Sequence, residues 1–308
     1  MVVLPDNALR PRRRSLAVAA LWMSLGGLAV VAAPPVGALP ETPTPVISLH
    51  HVVRTDPFAG SRRHTIDNEG SAYVARDHSL WVADDDGERL LEVSTRTGKL
   101  KRTINAKSLA GVRRMNGGRV AGGNRVGDLE SLAYNPRSDK LFAFSGSCCS
   151  PSARPTVFRL TRNGRGNLHL DSFQSLPAGS DFTASAWNPA DRRLYLGADT
   201  QLWVYRYAAN AVGPAVSVPG LSDVLGMTFT RDGRSLFVAR SPAVLSRIDW
   251  ATLTLVPGWT FDLAPYGMVD ARAVELVEGR LWVSDGYDLR PEGDPLSHAV
   301  FVFDVLAP

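Results

Sequence analysis

The sequence predicts an all-β fold, a β-propeller of five four-stranded blades. Three observations carry that expectation. A two-strand unit with a turn between its strands occurs five times. Each copy has an Asp ahead of its first strand and a Leu-aromatic or Leu-Tyr step in its second. More strand-like sequence follows most copies, and no helical periodicity of useful length appears beyond the N-terminal apolar run.

The clearest copy is GDLESLAYNPRSDKLFAFSG, Gly127–Gly146. It reads as a strand over Glu130–Tyr134, a turn over Asn135–Lys140 and a strand over Leu141–Ser145. The other copies start at Asp67 (DNEGSAYVARDHSLWVADD), Asp181 (DFTASAWNPADRRLYLGAD), Asp223 (DVLGMTFTRDGRSLFVARS) and Asp270 (DARAVELVEGRLWVSDG). Their second strands carry Trp81, Phe142, Tyr195, Phe237 and Trp282 at matching places. The Asp residues are separated by 61, 53, 42 and 47 residues, which suits propeller blades and does not suit an immunoglobulin-like sandwich. Units one to four continue into two further strands each, such as TVFRLTR and NLHLDSF in unit two. Unit five continues only with HAVFVFD, so it lacks a strand. The unpaired stretch Val46–Val53 can supply it, closing the ring and removing both exposed edges. Six blades are the alternative, if Ile47–Arg63 belongs to a degenerate blade.

Ahead of this domain, residues 1–38 read as a signal peptide. Arg10–Arg14 is its positive region, Ser15–Ala33 its apolar run, and Val36-Gly37-Ala38 its cleavage site. Arg13-Arg14 before Ser15-Leu16 resembles a twin-arginine signal, so export by the Sec or Tat route is expected, to an extracytoplasmic or secreted location. Residues 39–45 are a Pro-rich linker, and residues 46–308 form the propeller domain. The formal charge of +4 comes mostly from the first segment, since 30 basic and 29 acidic residues remain beyond it. The high pI is therefore no argument for nucleic-acid binding. No later stretch is apolar enough for a membrane span. A monomer is expected.

In a propeller the first strand of each blade lines the central channel. Asp67, Asp128, Asp181, Asp223 and Asp270 should then converge on one mouth, with Glu69 and Glu130 beside them. Thr183, Leu225 and Arg272 take the Glu place in the other units. Converging carboxylates repel, and Ca²⁺, which takes oxygen ligands, would relieve that at Asp67, Glu69, Asp128 and Glu130. The competing reading makes each Asp an acceptor for backbone N–H groups at a turn. It suits Asp181, Asp223 and Asp270, whereas a strand start has no need of Glu. Asp84-Asp85-Asp86, Asp199 and Asp285 follow second strands and are expected to stay away from the ring.

Two further features are candidates for ligand binding. Cys148-Cys149 follows the second strand of unit two. A bond between such neighbours would close a strained ring that serves as a platform for a ligand or as a loop staple, and pairing between chains is the other choice. The insert at 105–125 carries Arg113, Arg114, Arg119 and Arg125 among glycines, an arrangement that can meet an anion. No Gly-x-Ser-x-Gly elbow, His-x-x-x-His pair, phosphate-binding Gly-rich loop or dinucleotide fingerprint is present.

LWVADDDGERLLEVSTRTGKLKRTI, FTRDGRSLFVARSPAVLSRID and GRLWVSDG resemble secreted bacterial propellers of the NHL/YVTN type. The DNEGSAY and DLESLAY steps are similar to strand starts of the phytase-like esterase and SdiA-regulated families, departing from them at Ser131 and in units three to five, which lack the Glu. Two functions follow as expectations. One is a non-catalytic module that binds a protein, glycan or small ligand on one face and requires no cofactor. The other is a Ca²⁺-dependent phosphoester or ester hydrolase, with the metal at Asp67, Glu69, Asp128 and Glu130 and an anion held by Arg272 or the Arg113–Arg125 insert.

Overall fold

The strand pattern becomes five antiparallel sheets. The computed structural model describes residues 45–55, 67–85, 87–105, 128–146, 155–162, 167–176, 182–286, 294, 296 and 299–306, and the propeller lies within Pro43–Pro308. The first strand is β1 (Val46–Val53). Blade one holds β2 (Asn68–Val74), β3 (Ser79–Asp84), β4 (Arg89–Ser94) and β5 (Leu100–Asn105). Blade two holds β6 (Leu129–Asn135), β7 (Lys140–Ser145), β8 (Thr156–Arg162) and β9 (Leu168–Ser175). Blade three holds β10 (Ala184–Asn188), β11 (Arg193–Ala198), β12 (Gln201–Arg206) and β13 (Ala211–Ser217). Blade four holds β14 (Val224–Phe229), β15 (Ser235–Arg240), β16 (Val244–Asp249) and β17 (Thr254–Asp262). Blade five holds β18 (Ala271–Val277), β19 (Arg280–Asp285) and β20 (Val300–Leu306), with β1 as its fourth strand.

Five blades, rather than six, complete the ring. β1 runs antiparallel to β20, from Val46 opposite Leu306 to Val53 opposite Val300. The N-terminal strand thus covers the edge that β20 would otherwise expose. The Tyr266 hydroxyl, donating to the Ile47 carbonyl at 2.7 Å, ties β1 to the turn that leads into blade five. No helix among the described residues is long and apolar enough to cross a membrane.

The Leu-aromatic repeat has a direct physical meaning. Successive side chains of a strand point to opposite faces, and each blade is covered on both. Leu141 packs with Trp81 and Leu132 between blades one and two, while Phe142 packs with Phe182 and Leu194 between blades two and three. Leu194 and Tyr195, Leu236 and Phe237, Leu281 and Trp282 divide in the same way, Leu toward the preceding blade and the aromatic toward the next. Leu80 closes the circle against Trp282, across from blade five. Trp81 is fully buried, and its loss would cost about 3–5 kcal/mol.

The first strands β2, β6, β10, β14 and β18 each pack against their neighbours on both sides, so they surround the axis. Their approach is close. A Cβ on Gly226 would lie 2.6 Å from both the Arg272 carbonyl oxygen and the Ala273 Cα. The turns into the second strands are tight for a related reason. His78 (φ 49°), Asp139 (φ 52°), Arg192 (φ 62°) and Gly279 (φ 86°) each hold a left-handed backbone just before that strand begins.

Candidate functional site

Four of the five repeated Asp residues are described, and they stand at the starts of the inner strands. Asp181 lies outside the described residues. Asp128 and Asp223 have left-handed backbones, with φ of 55° and 47°, a conformation that Asp tolerates better than most residues. Asp67 and Asp270 are anchored through their main-chain N–H groups, while their side chains meet Glu69 and Arg272. The Asp67 N–H donates to Asp84 Oδ1 at 3.0 Å, and the Asp270 N–H to Asp285 Oδ1 at 2.7 Å.

Those partners overturn one expectation. Asp84 and Asp285 end second strands and Asp85 follows one, yet they meet the inner-strand starts rather than standing apart from them. An antiparallel hairpin returns the end of its second strand to the start of its first. Asp85 Oδ1 goes further and accepts from the Leu129 N–H of blade two at 2.8 Å. In the same way the Val224 N–H donates to the Asp199 carbonyl, and the Ala271 N–H to the Pro242 carbonyl. These bonds lock blade one to two, three to four and four to five.

Glu69 and Glu130 occupy the same register in neighbouring strands, and Arg272 holds it in blade five. Arg272 Nη1 lies 3.2 Å from Glu69 Oε2, and Arg272 Nε lies 2.5 Å from Asp270 Oδ2. Glu69 is 8% exposed, and Arg272 is partly buried. Burial pushes the Glu69 carboxyl up to about 7; Arg272 opposes that shift, while Glu130 and Asp85 add to it by repulsion. Burial alone would lower Arg272, but Glu69 and Asp270 outweigh it and keep the guanidinium charged. Gly146 makes room here, since a Cβ on it would lie 2.6 Å from Glu130 Oε1 and 2.8 Å from Asp128 Oδ2. Asp67, Glu69, Asp85, Asp128, Glu130, Asp270 and Arg272 therefore form one polar cluster at this mouth. Near neutral pH, Glu69 can take or give a proton there.

The donor set fits a guanidinium better than a resident Ca²⁺. Arg272 already stands against Glu69 and Asp270. Among the described residues no group of three or more His, Cys, Asp or Glu side chains is arranged to hold a metal. Cys148, Cys149, Arg113 and Arg114 lie outside the described residues.

Against solved structures, the chain is similar to Myxococcus xanthus glutaminyl cyclase. The TM-score is 0.53 at 14% identity, over 85% of this chain and 98% of that one. Kuenenia stuttgartiensis hydrazine synthase matches with a TM-score of 0.41 at 12% identity, over 76% of this chain. The chain spans about 60% of the length of that synthase chain. The likeness to the cyclase shows the propeller fold. No protein-family model matches the sequence, and no curated protein does.

Below the polar mouth the channel narrows to a waist of about 10 Å³, lined by Ser71, Ser131, Ser185, Leu225, Met227 and Val274. That is room for about one water molecule. Ser131 and Ser185 close it with a 2.5 Å hydrogen bond. Beyond the waist the channel widens into a cavity of about 890 Å³, whose wall includes Tyr73, Tyr134, Trp187, Phe229 and Glu275. Glu275 was missed in the sequence because β18 reads as an ordinary inner strand. Aligning the units would reveal it, since its place holds Ala72, Ala133, Ala186 and Thr228 in the other blades.

Proposed function

We propose that the chain is an exported propeller that binds a ligand or partner at the polar mouth of its channel, through Glu69, Glu130 and Arg272. One observation carries this reading. Two blades place Glu side by side where the others have Thr183, Leu225 and Arg272, and the strand pairing needs neither carboxylate. Burying like charges together is costly, and such costs concentrate at functional sites. Glu130 and Glu69 present acceptors, Arg272 a planar donor, so a polar ligand with groups of both kinds is matched. The N-terminal signal pattern and the NHL/YVTN-like and phytase-like strand starts support an extracytoplasmic role.

The hydrolase alternative asks the same carboxylates to hold Ca²⁺. For that, the cation would have to displace Arg272 from Glu69. One experiment tests both readings. Thermal unfolding of the wild type and of Glu69→Gln/Glu130→Gln is followed with Ca²⁺, with EDTA, and with a panel of soluble glycans. The double variant is expected to melt within a few degrees of the wild type in EDTA, because the relief of the Glu69–Glu130 repulsion offsets the loss of the Glu69 ion pair with Arg272. A drop of several degrees would make these glutamates structural and overturn the proposal. Stabilisation by Ca²⁺ that the double variant loses would replace the binding reading with the metal-dependent one.

A further inference from the structure

The far end of the channel carries a second site, independent of the polar mouth. Here the inner strands end, and one residue per blade at the same register lines the cavity: Tyr73, Tyr134, Trp187, Phe229 and Leu276. Four of these are aromatic. The tyrosine hydroxyls are held from behind, Tyr73 donating to Glu278 Oε1 at 3.1 Å and Tyr134 to Asp139 Oδ1 at 2.9 Å. Their rings are thereby fixed in the wall.

One register position deeper stands Glu275. Ala72, Ala133 and Ala186, its counterparts, are buried, so three other blades pack this place without a carboxylate. Its Oε2 accepts from the Thr228 hydroxyl at 3.2 Å, and the carboxyl also accepts from the Tyr73 main-chain N–H. Among the described residues no Lys, Arg or His pairs with it. The groups around it are Thr228 from β14, Tyr73 from β2, and Glu278 beyond the end of its own strand, with His78 and Arg231 at the rim. His78 Nδ1 is already 2.8 Å from Glu278. Glu278 and Arg231 are of opposite sign, so the titratable group left unmatched in the cavity is Glu275. Aromatic faces carry partial negative charge and attract cations. A carboxyl beside a collar of aromatic side chains matches one ligand chemistry.

We propose that this cavity binds an organic cation, its ammonium group meeting Glu275 and its body lying against Tyr73, Tyr134, Trp187 and Phe229. Burial holds the Glu275 carboxyl up at about 8, so a cation arriving near neutral pH displaces its proton to solvent. The waist separates this site from the other mouth, so the two are expected to act independently.

The test uses two probes of nearly equal shape, phenethylamine and uncharged 2-phenylethanol, titrated calorimetrically into the full chain at pH 7.5. The amine is expected to bind saturably and at least tenfold tighter than the alcohol. Glu275→Gln should abolish that preference, and Trp187→Leu should weaken both probes. Glu69→Gln/Glu130→Gln should leave amine binding unchanged. Glu275→Ala, which gives blade five the residue of blades one to three, repeats the test should the Gln variant misfold. The proposal is overturned by an amine that does not saturate, by equal binding of the two probes, or by a preference that survives the loss of Glu275.

Discussion

Glu275→Gln should stabilise the protein increasingly as the pH rises. In the fold the Glu275 carboxyl titrates at about 8, against 4.5 for a free Glu, and burial is the leading cause. The folded state therefore holds its proton across that window, while the unfolded chain gives it up. The favourable contribution is complete below the free value, declines as the pH climbs, and is gone above about 8. Each pH unit between is worth ~1.4 kcal/mol, a full span on the order of 5 kcal/mol. The side chain keeps a partly exposed face on the open cavity, where water relieves some of the burial, so about 2–3 kcal/mol is expected. Urea unfolding of wild type and variant at pH 5, 6, 7, 8 and 8.5 measures it. The two should be nearly equal at pH 5 and diverge toward pH 8.5, the variant being the more stable. Glu69 is raised in the same direction but is common to both proteins, so the difference isolates Glu275. A difference that stays constant with pH would refute the argument that this carboxyl is held protonated by its surroundings.

Three other outcomes are expected. Gly226→Ala should lose about 1–3 kcal/mol in chemical denaturation, because the new methyl meets the backbone of blade five rather than a side chain that can swing away. Asp285→Ala should lower stability by about 2–4 kcal/mol, read as a shift in thermal midpoint, since the Asp270 and Val269 N–H groups lose their acceptor; Asp285→Asn, which keeps one carbonyl oxygen, should recover most of it. Removing residues 1–54 deletes β1 and bares the edge of β20, so the shortened chain should lose its cooperative melting transition and elute as aggregates in size-exclusion chromatography.

Much of the fold was legible because the repeat is itself the packing rule. A Leu and an aromatic side by side in each second strand must face opposite ways, and only a ring of like blades covers both. The missing strand of unit five and the spare strand Val46–Val53 pointed to the same closure. The candidate site was legible only in part. Glu69 and Glu130 stood out as departures from the unit pattern, but their relation to Arg272, 203 residues away from Glu69, follows from bringing blade five beside blade one. Asp85 was misplaced because its position was judged from chain order, without the return of the hairpin. Glu275 went unread because one Glu among apolar strand residues looks like an ordinary outward side chain until the axis of the ring is known.

The amino-acid sequence by itself determined the all-β class, the repeat, the five blades and the strand that closes them. These depend on local alternation and turn chemistry, which each unit carries in its own residues. The tertiary structure alone decided which charges meet. It set Arg272 between Glu69 and Asp270, separated the two ends of the channel by a serine-lined waist, and turned Glu275 into a cavity that other blades line with aromatic rings. Those relations depend on distances across the axis, and only the closed ring defines them.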